Sequence, residues 1–97
     1  MTQHQIEAIK NYVEKEVKGY LSAHRDITNV QFRHRGSTGD SFLKISTAFG
    51  MAKYFDVTGL DEHSICVLIA VILAGGTPKL TVRDLESIRE IEELFTK

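Results

Sequence analysis

His24, Arg25 and Asp26 stand in a row, and His34 and Asp40 flank a turn-forming run that holds Ser37, with Ser41 just beyond it. Imidazole, carboxylate and hydroxyl are the groups from which general-base or nucleophilic centres are built, so a small enzyme using His24, His34 and Asp40 is one reading of the chain. Adjacency in sequence does not supply the geometry such a centre needs. An imidazole at a helix end also has a plain structural use, meeting the carbonyls of a last turn. Metal chemistry has less to work with. The four histidines, His4, His24, His34 and His63, are scattered, and the single Cys66 lies inside an apolar run. Zinc needs three or four converging ligands, and no paired Cys or His spacing provides them, so no metal and no cofactor is expected.

Two glycine-containing stretches are candidates for holding phosphate. Gly36-Ser37-Thr38-Gly39 offers free amides and hydroxyls, but Asp40 follows where a phosphate loop carries Lys and Ser or Thr. Gly75-Gly76-Thr77-Pro78-Lys79 would follow the C-terminus of a helix, the end of the dipole that disfavours anions. Both read as turns.

The charge layout is more informative. The net charge is −1, yet residues 24–53 sum to +3 and residues 54–97 to −4. Arg33, Arg35 and Lys44 would gather on one hairpin, with Phe32 or Tyr54 available to stack a base, which is the outline of a small nucleic-acid interface. Against it stands the slightly acidic chain as a whole, where dedicated binders are strongly basic. Glu86, Glu90 and Glu93 recur at spacings of four and three and form a carboxylate stripe on a C-terminal helix, with Arg83 and Lys97 at its margins. Such a stripe ordinarily only solvates a helix. In its functional version it docks a basic partner or competes for a nucleic-acid channel, with Arg33 and Arg35 as a second contact surface.

Positioning these residues falls to a single domain of 97 residues, since half that length could not bury a stable core. The apolar fraction of 42% and charged fraction of 26% are those of a globular protein. The lone cysteine excludes an internal disulfide and suits a reducing compartment, so a cytoplasmic protein is expected. The polar N-terminus is no secretory signal. The longest apolar run, from Ile65 to Ala74, is half of the roughly 20 residues a membrane span requires, and no membrane partner is expected.

The fold class predicted is α+β. From Thr2 to about Ser22, Ile6, Ile9, Val13, Val17, Tyr20 and Leu21 form one apolar stripe of an N-terminal helix. Residues 28–35 and 41–47 alternate about a glycine-rich turn and predict a β-hairpin, and residues 51–57 offer a third strand with Phe55 and Val57 inward. Phe42, Ile45, Phe49 and Ala52 also fit helical spacing, so a helix there is the competing reading. Residues 59–74 read as a helix buried on most sides, with a central strand as the alternative. Thr58 to Asp61 has the form of a capping box, and Gly75-Gly76 supplies a left-handed C-cap. Thr81 to Asp84 is a second capping box, opening a helix over 82–96 with Leu85, Ile88, Ile91, Leu94 and Phe95 inward. A small antiparallel sheet with its helices packed on one face is the simplest assembly.

The expectation for function is a non-enzymatic protein that binds a protein or ribonucleoprotein partner. It would be a small inhibitor or adaptor of the anti-CRISPR or immunity type, of phage or mobile-element origin, that occludes a working surface through its charged faces. A nucleic-acid regulator using the hairpin at 32–44 is the alternative, and the small enzyme comes third.

Overall fold

The computed structural model describes residues 2–96, so Lys97 lies outside the described residues. The chain is a small α+β fold whose N-terminal helix precedes a three-stranded antiparallel sheet of order β1-β2-β3 and two further helices. The N-terminal rod runs through α1 (Gln3–Asn11), a π-helical stretch (Tyr12–Val17) and α2 (Lys18–Leu21). Thr2 caps it in a true capping box, exchanging hydrogen bonds with Gln5. The expected stripe is buried at Ile6, Ile9, Val13 and Val17, but Tyr20 is 69% exposed. The π stretch explains this difference. Its turns hold more residues than an α turn, so the stripe's phase slips over Tyr12–Val17. Tyr20 is carried outward and Leu21 inward, against the core.

β1 (Ile27–Arg35) and β2 (Asp40–Thr47) form the predicted hairpin, and β3 (Ala52–Asp56) adds the third strand, so residues 41–57 hold two strands joined by a turn and no helix. Ile27 and Val30 are three apart, yet both are buried. A bulge between Ile27 and Asn29 makes this possible, because it inserts one residue into β1 and restores the inward face. α3 (Glu62–Leu73) and α4 (Leu85–Thr96) follow. α3 buries Ile65, Ile69 and Ile72 but leaves Val67 and Val71 partly in water, so it is buried on one side and not on most.

Both capping-box expectations miss their starts. α3 begins at Asp61, whose carboxylate accepts from the Ser64 amide, because Thr58 is turned to β2, where its hydroxyl accepts from the Ser41 amide. α4 begins after Asp84, which accepts from the Ser87 amide and hydroxyl. Thr81 is unavailable as a cap because it bridges Phe55, with Asp56 N–H donating to Leu80 and Val82 N–H to Tyr54. Residues 80–82 thus extend the sheet beyond β3. At the end of α3 the expected C-cap is present. Gly75 has φ +94°, and the Gly75 and Gly76 amides donate to Ile72 and Val71, closing a Schellman turn.

The helices do not share one face. The N-terminal rod and α3 cover Val30, Phe32, Leu43, Ile45 and Phe55, whereas α4 packs on the opposite side over Phe42 and Tyr54. Strand alternation is the reason: Leu43 and Phe55 point one way, Phe42 and Tyr54 the other, so both faces carry apolar groups and each requires a helix. Within α4, Ile91 and Phe95 are buried and Ile88 and Leu94 half-buried, but Leu85 is 73% exposed and no part of the core.

Tyr54 gives this second core a measurable property. Its side chain is 2% exposed, and burial, reinforced by the negative charge of Glu92, pushes the phenol up to about 12. The folded protein therefore retains this proton above pH ~10, where an unfolded tyrosine releases it. The stability so contributed is complete below pH ~10 and is lost as pH climbs toward 12. In a spectrophotometric titration one of the three tyrosines should ionise only near pH 12, and Tyr54→Phe should remove that step. A single wave near pH ~10 for all tyrosines would contradict it.

Candidate functional site

The residues singled out for chemistry are held apart. His24 precedes β1 and His34 is the eighth residue of that strand, which places them roughly 20 Å or more from each other along the sheet. The His24 ring is fully engaged. Nδ1 accepts from the amides of Asp26 (3.1 Å) and Ile27 (3.0 Å), so the ring proton sits on Nε2 and is donated to the Leu73 carbonyl (2.9 Å). The helix end it serves is that of α3, not of its own helix. His34 shares a hydrogen bond of 2.8 Å with the hydroxyl of Ser41, a residue 2% exposed. Asp40 does not join them. It is paired with Arg35 across the hairpin, on the sheet face away from His34 and Ser41. Hydrogen bonds from Arg35 and Thr38 hold the Asp40 carboxyl below its ordinary range. The turn at Gly36–Gly39 is thus closed on its own carboxylate.

The three hairpin cations have intramolecular partners. Arg33 donates to the Phe32 carbonyl (2.9 Å) and lies over the Phe95 ring, 5.6 Å from its centre. Arg35 is bound to Asp40, and the Lys44 ammonium sits 5.9 Å from the centre of the Tyr54 ring. Phe32 and Tyr54 are both buried and offer no stacking surface. Glu86, Glu90 and Glu93 are exposed on the outward side of α4, and Arg89 falls in the same stripe. Cys66 is half-buried, its thiol pushed up chiefly by burial and further by the charges of Glu62 and Glu16, the opposite of a reactive thiolate. Among the described residues no group of three or more His, Cys, Asp or Glu converges as metal ligands, and no helix is long and apolar enough to cross a membrane.

Two open surfaces stand out among the described residues. The first is the free edge of β1, the outer strand of the sheet. Val30 N–H is taken only by the side chain of neighbouring Asn29 (3.0 Å), and Phe32 C=O only by that of Arg33 (2.9 Å). By strand alternation Val30, Phe32 and His34 turn their main-chain groups outward, while the residues between them face β2. Beside this edge runs a groove of about 150 Å³ against the N-terminal rod, bordered by Lys10, Glu14, Lys18 and Arg33.

The second is a cleft of about 510 Å³ beyond the C-terminus of α3. Its floor is apolar, made by Ile27, Ile45, Phe55 and Ile72. Lys53, Lys79 and Arg83 stand around it, with Asp26 as the one carboxylate. Lys53 comes from the start of β3. Arg83 comes from the segment that bridges β3, where alternation puts Thr81 and Arg83 on the cleft side and sends Val82 to the second core, and Lys79 comes from the turn just before that bridge. These three cations were not foreseen. The signal available was the alternation of Leu80-Thr81-Val82-Arg83, which was overshadowed by the capping pattern within it.

No protein-family model, curated protein or solved structure matches this chain.

Proposed function

We propose that this protein acts by binding another protein and not by catalysis, taking an acidic, extended segment of its partner along the free edge of β1. The observation that carries the reading is the self-capped edge: Val30 N–H and Phe32 C=O are held only by the side chains of the residues next to them. An incoming strand supplies better-aligned main-chain partners for these groups, the usual source of affinity in strand addition. The groove bordering the edge has Lys10 and Lys18 against Glu14, which favours acidic side chains on the incoming strand. The basic-hairpin surface for nucleic acid is less well supported, because Arg33, Arg35 and Lys44 are already paired within the fold. Occupying a partner's segment in this way suits a small inhibitor or adaptor of the anti-CRISPR or immunity type, working in the reducing cytoplasm where its lone cysteine stays free. The carboxylates of Glu86, Glu90 and Glu93 would face away from the bound strand and contribute only a second, electrostatic face.

The test uses a peptide of alternating valine and glutamate, followed by amide hydrogen exchange and by binding at low and high salt. The expected result is slowed exchange at Val30 and His34 and binding that weakens with salt. Lys10→Glu with Lys18→Glu should weaken it about tenfold, in proportion to two exposed ion pairs. Reversing Glu86, Glu90 and Glu93 should leave it unchanged. A valine–lysine peptide that binds equally well, or a single-stranded oligonucleotide that protects the edge where the acidic peptide does not, would sink the reading.

A further inference from the structure

We infer that the cleft beyond α3 is a second, separate site, which takes a small organic anion with an apolar body. Three observations converge on that class of ligand. The volume of about 510 Å³ lies within the range of small-molecule sites. The floor of Ile27, Ile45, Phe55 and Ile72 removes an aromatic or alkyl body from water. Lys53, Lys79 and Arg83 outnumber Asp26 at the cleft walls, and Arg83 presents the planar fork that matches a carboxylate or phosphate.

The end of α3 would ordinarily discourage an anion here, through its unsatisfied carbonyls. In this fold those carbonyls are all engaged. Ala70 accepts from Ala74, Val71 from Gly76, Ile72 from Gly75 and Leu73 from the His24 ring. The cations are therefore the dominant polar groups that a ligand meets. The cleft wall is also braced at both ends, by the Schellman turn at Gly75–Gly76 and by the bridge of Thr81 to Phe55, so the site is formed before anything binds.

Naphthalene-2-carboxylate is a suitable probe, compared with its neutral amide and with naphthylmethylammonium, each titrated into the intact protein and followed by residue-resolved NMR. A ligand of this size is expected to bind with Kd of about 1 mM or tighter. The shifts should concentrate on Ile45, Phe55, Thr77 and Thr81. The amide should bind several-fold more weakly, and the ammonium should not reach saturation. Lys53→Gln with Arg83→Gln, both exposed and outside the core, should weaken the carboxylate about tenfold. Lys10→Glu with Lys18→Glu, which tests the β1 edge, should leave it unchanged, so failure of either site is seen separately. Equal affinity for carboxylate and amide, or shifts spread over the molecule, would overturn the assignment, as would no saturable binding of the carboxylate.

Discussion

Phe95→Ala is expected to remove about 3 kcal/mol of stability and to release α4 before the rest of the fold. Phe95 is buried between the Tyr54 ring, at 5.9 Å between centres, and the Arg33 guanidinium, and the second core offers only Phe42, Tyr54 and Ile91 besides it as fully buried members. Truncation thus removes a quarter of that set together with an aromatic pair and a cation–π contact. A helix of 12 residues is marginal in water on its own, so α4 depends on this docking. For a domain of this size, about 3 kcal/mol corresponds to a melting temperature lower by roughly 12–20 °C. Amide exchange should quicken first in α4, while the cluster around Ile9, Ile65 and Ile69 on the other face keeps its protection. Equal loss of protection in both clusters would show that the two cores unfold as one unit.

His24→Ala is expected to cost roughly 2–3 kcal/mol, although the residue is only half-buried and touches no reacting group. Three hydrogen bonds disappear at once: two main-chain amides lose Nδ1 and the Leu73 carbonyl loses Nε2. Each contributes on the order of 1 kcal/mol, with some recovery from water at this partly open position. His24→Asn retains an acceptor for the Asp26 and Ile27 amides but does not reach Leu73, so about half of the loss should return. Urea unfolding measures both, as a lower midpoint at unchanged slope. An effect below about 0.5 kcal/mol for His24→Ala would mean that the ring does not join the start of β1 to the end of α3.

Several elements were legible because local preference and tertiary packing agree in them. The stripe of Ile6, Ile9, Val13 and Val17, the alternation on either side of Gly36–Gly39, and the C-cap at Gly75 were all open to reading. Most of the failures come from competition with distant parts of the chain. Thr58 and Thr81 each stand three residues before an acid, as a helix cap should, but Ser41 engages the first and Phe55 the second. Tyr20 followed α-helical spacing and was displaced by a π stretch that no residue type announces. The two-sided sheet was half visible, since Phe42 was already on the face opposite Leu43, yet one helix per face follows only when Tyr54 is placed beside it. The cleft was the least legible, because Lys53, Lys79 and Arg83 become neighbours only once segment 80–82 pairs with β3.

The two-sided sheet also bears on how its strands find their alignment. In most small sheets a slip by one residue is punished at once, because the greasy side is turned to water. Here the centre of β2 reads Phe42-Leu43-Lys44-Ile45, and both sides await an apolar partner, so β2 resists a slip only weakly and the penalty falls on β1, where Gln31 and Arg33 would replace the buried Val30 and Phe32. The ends of β1 add to this, with Arg35 locking onto Asp40 at one end and the extra residue near Thr28 fixing the count at the other. Alignment in this protein is set by one strand and its clasps, and the strand at the centre is nearly indifferent.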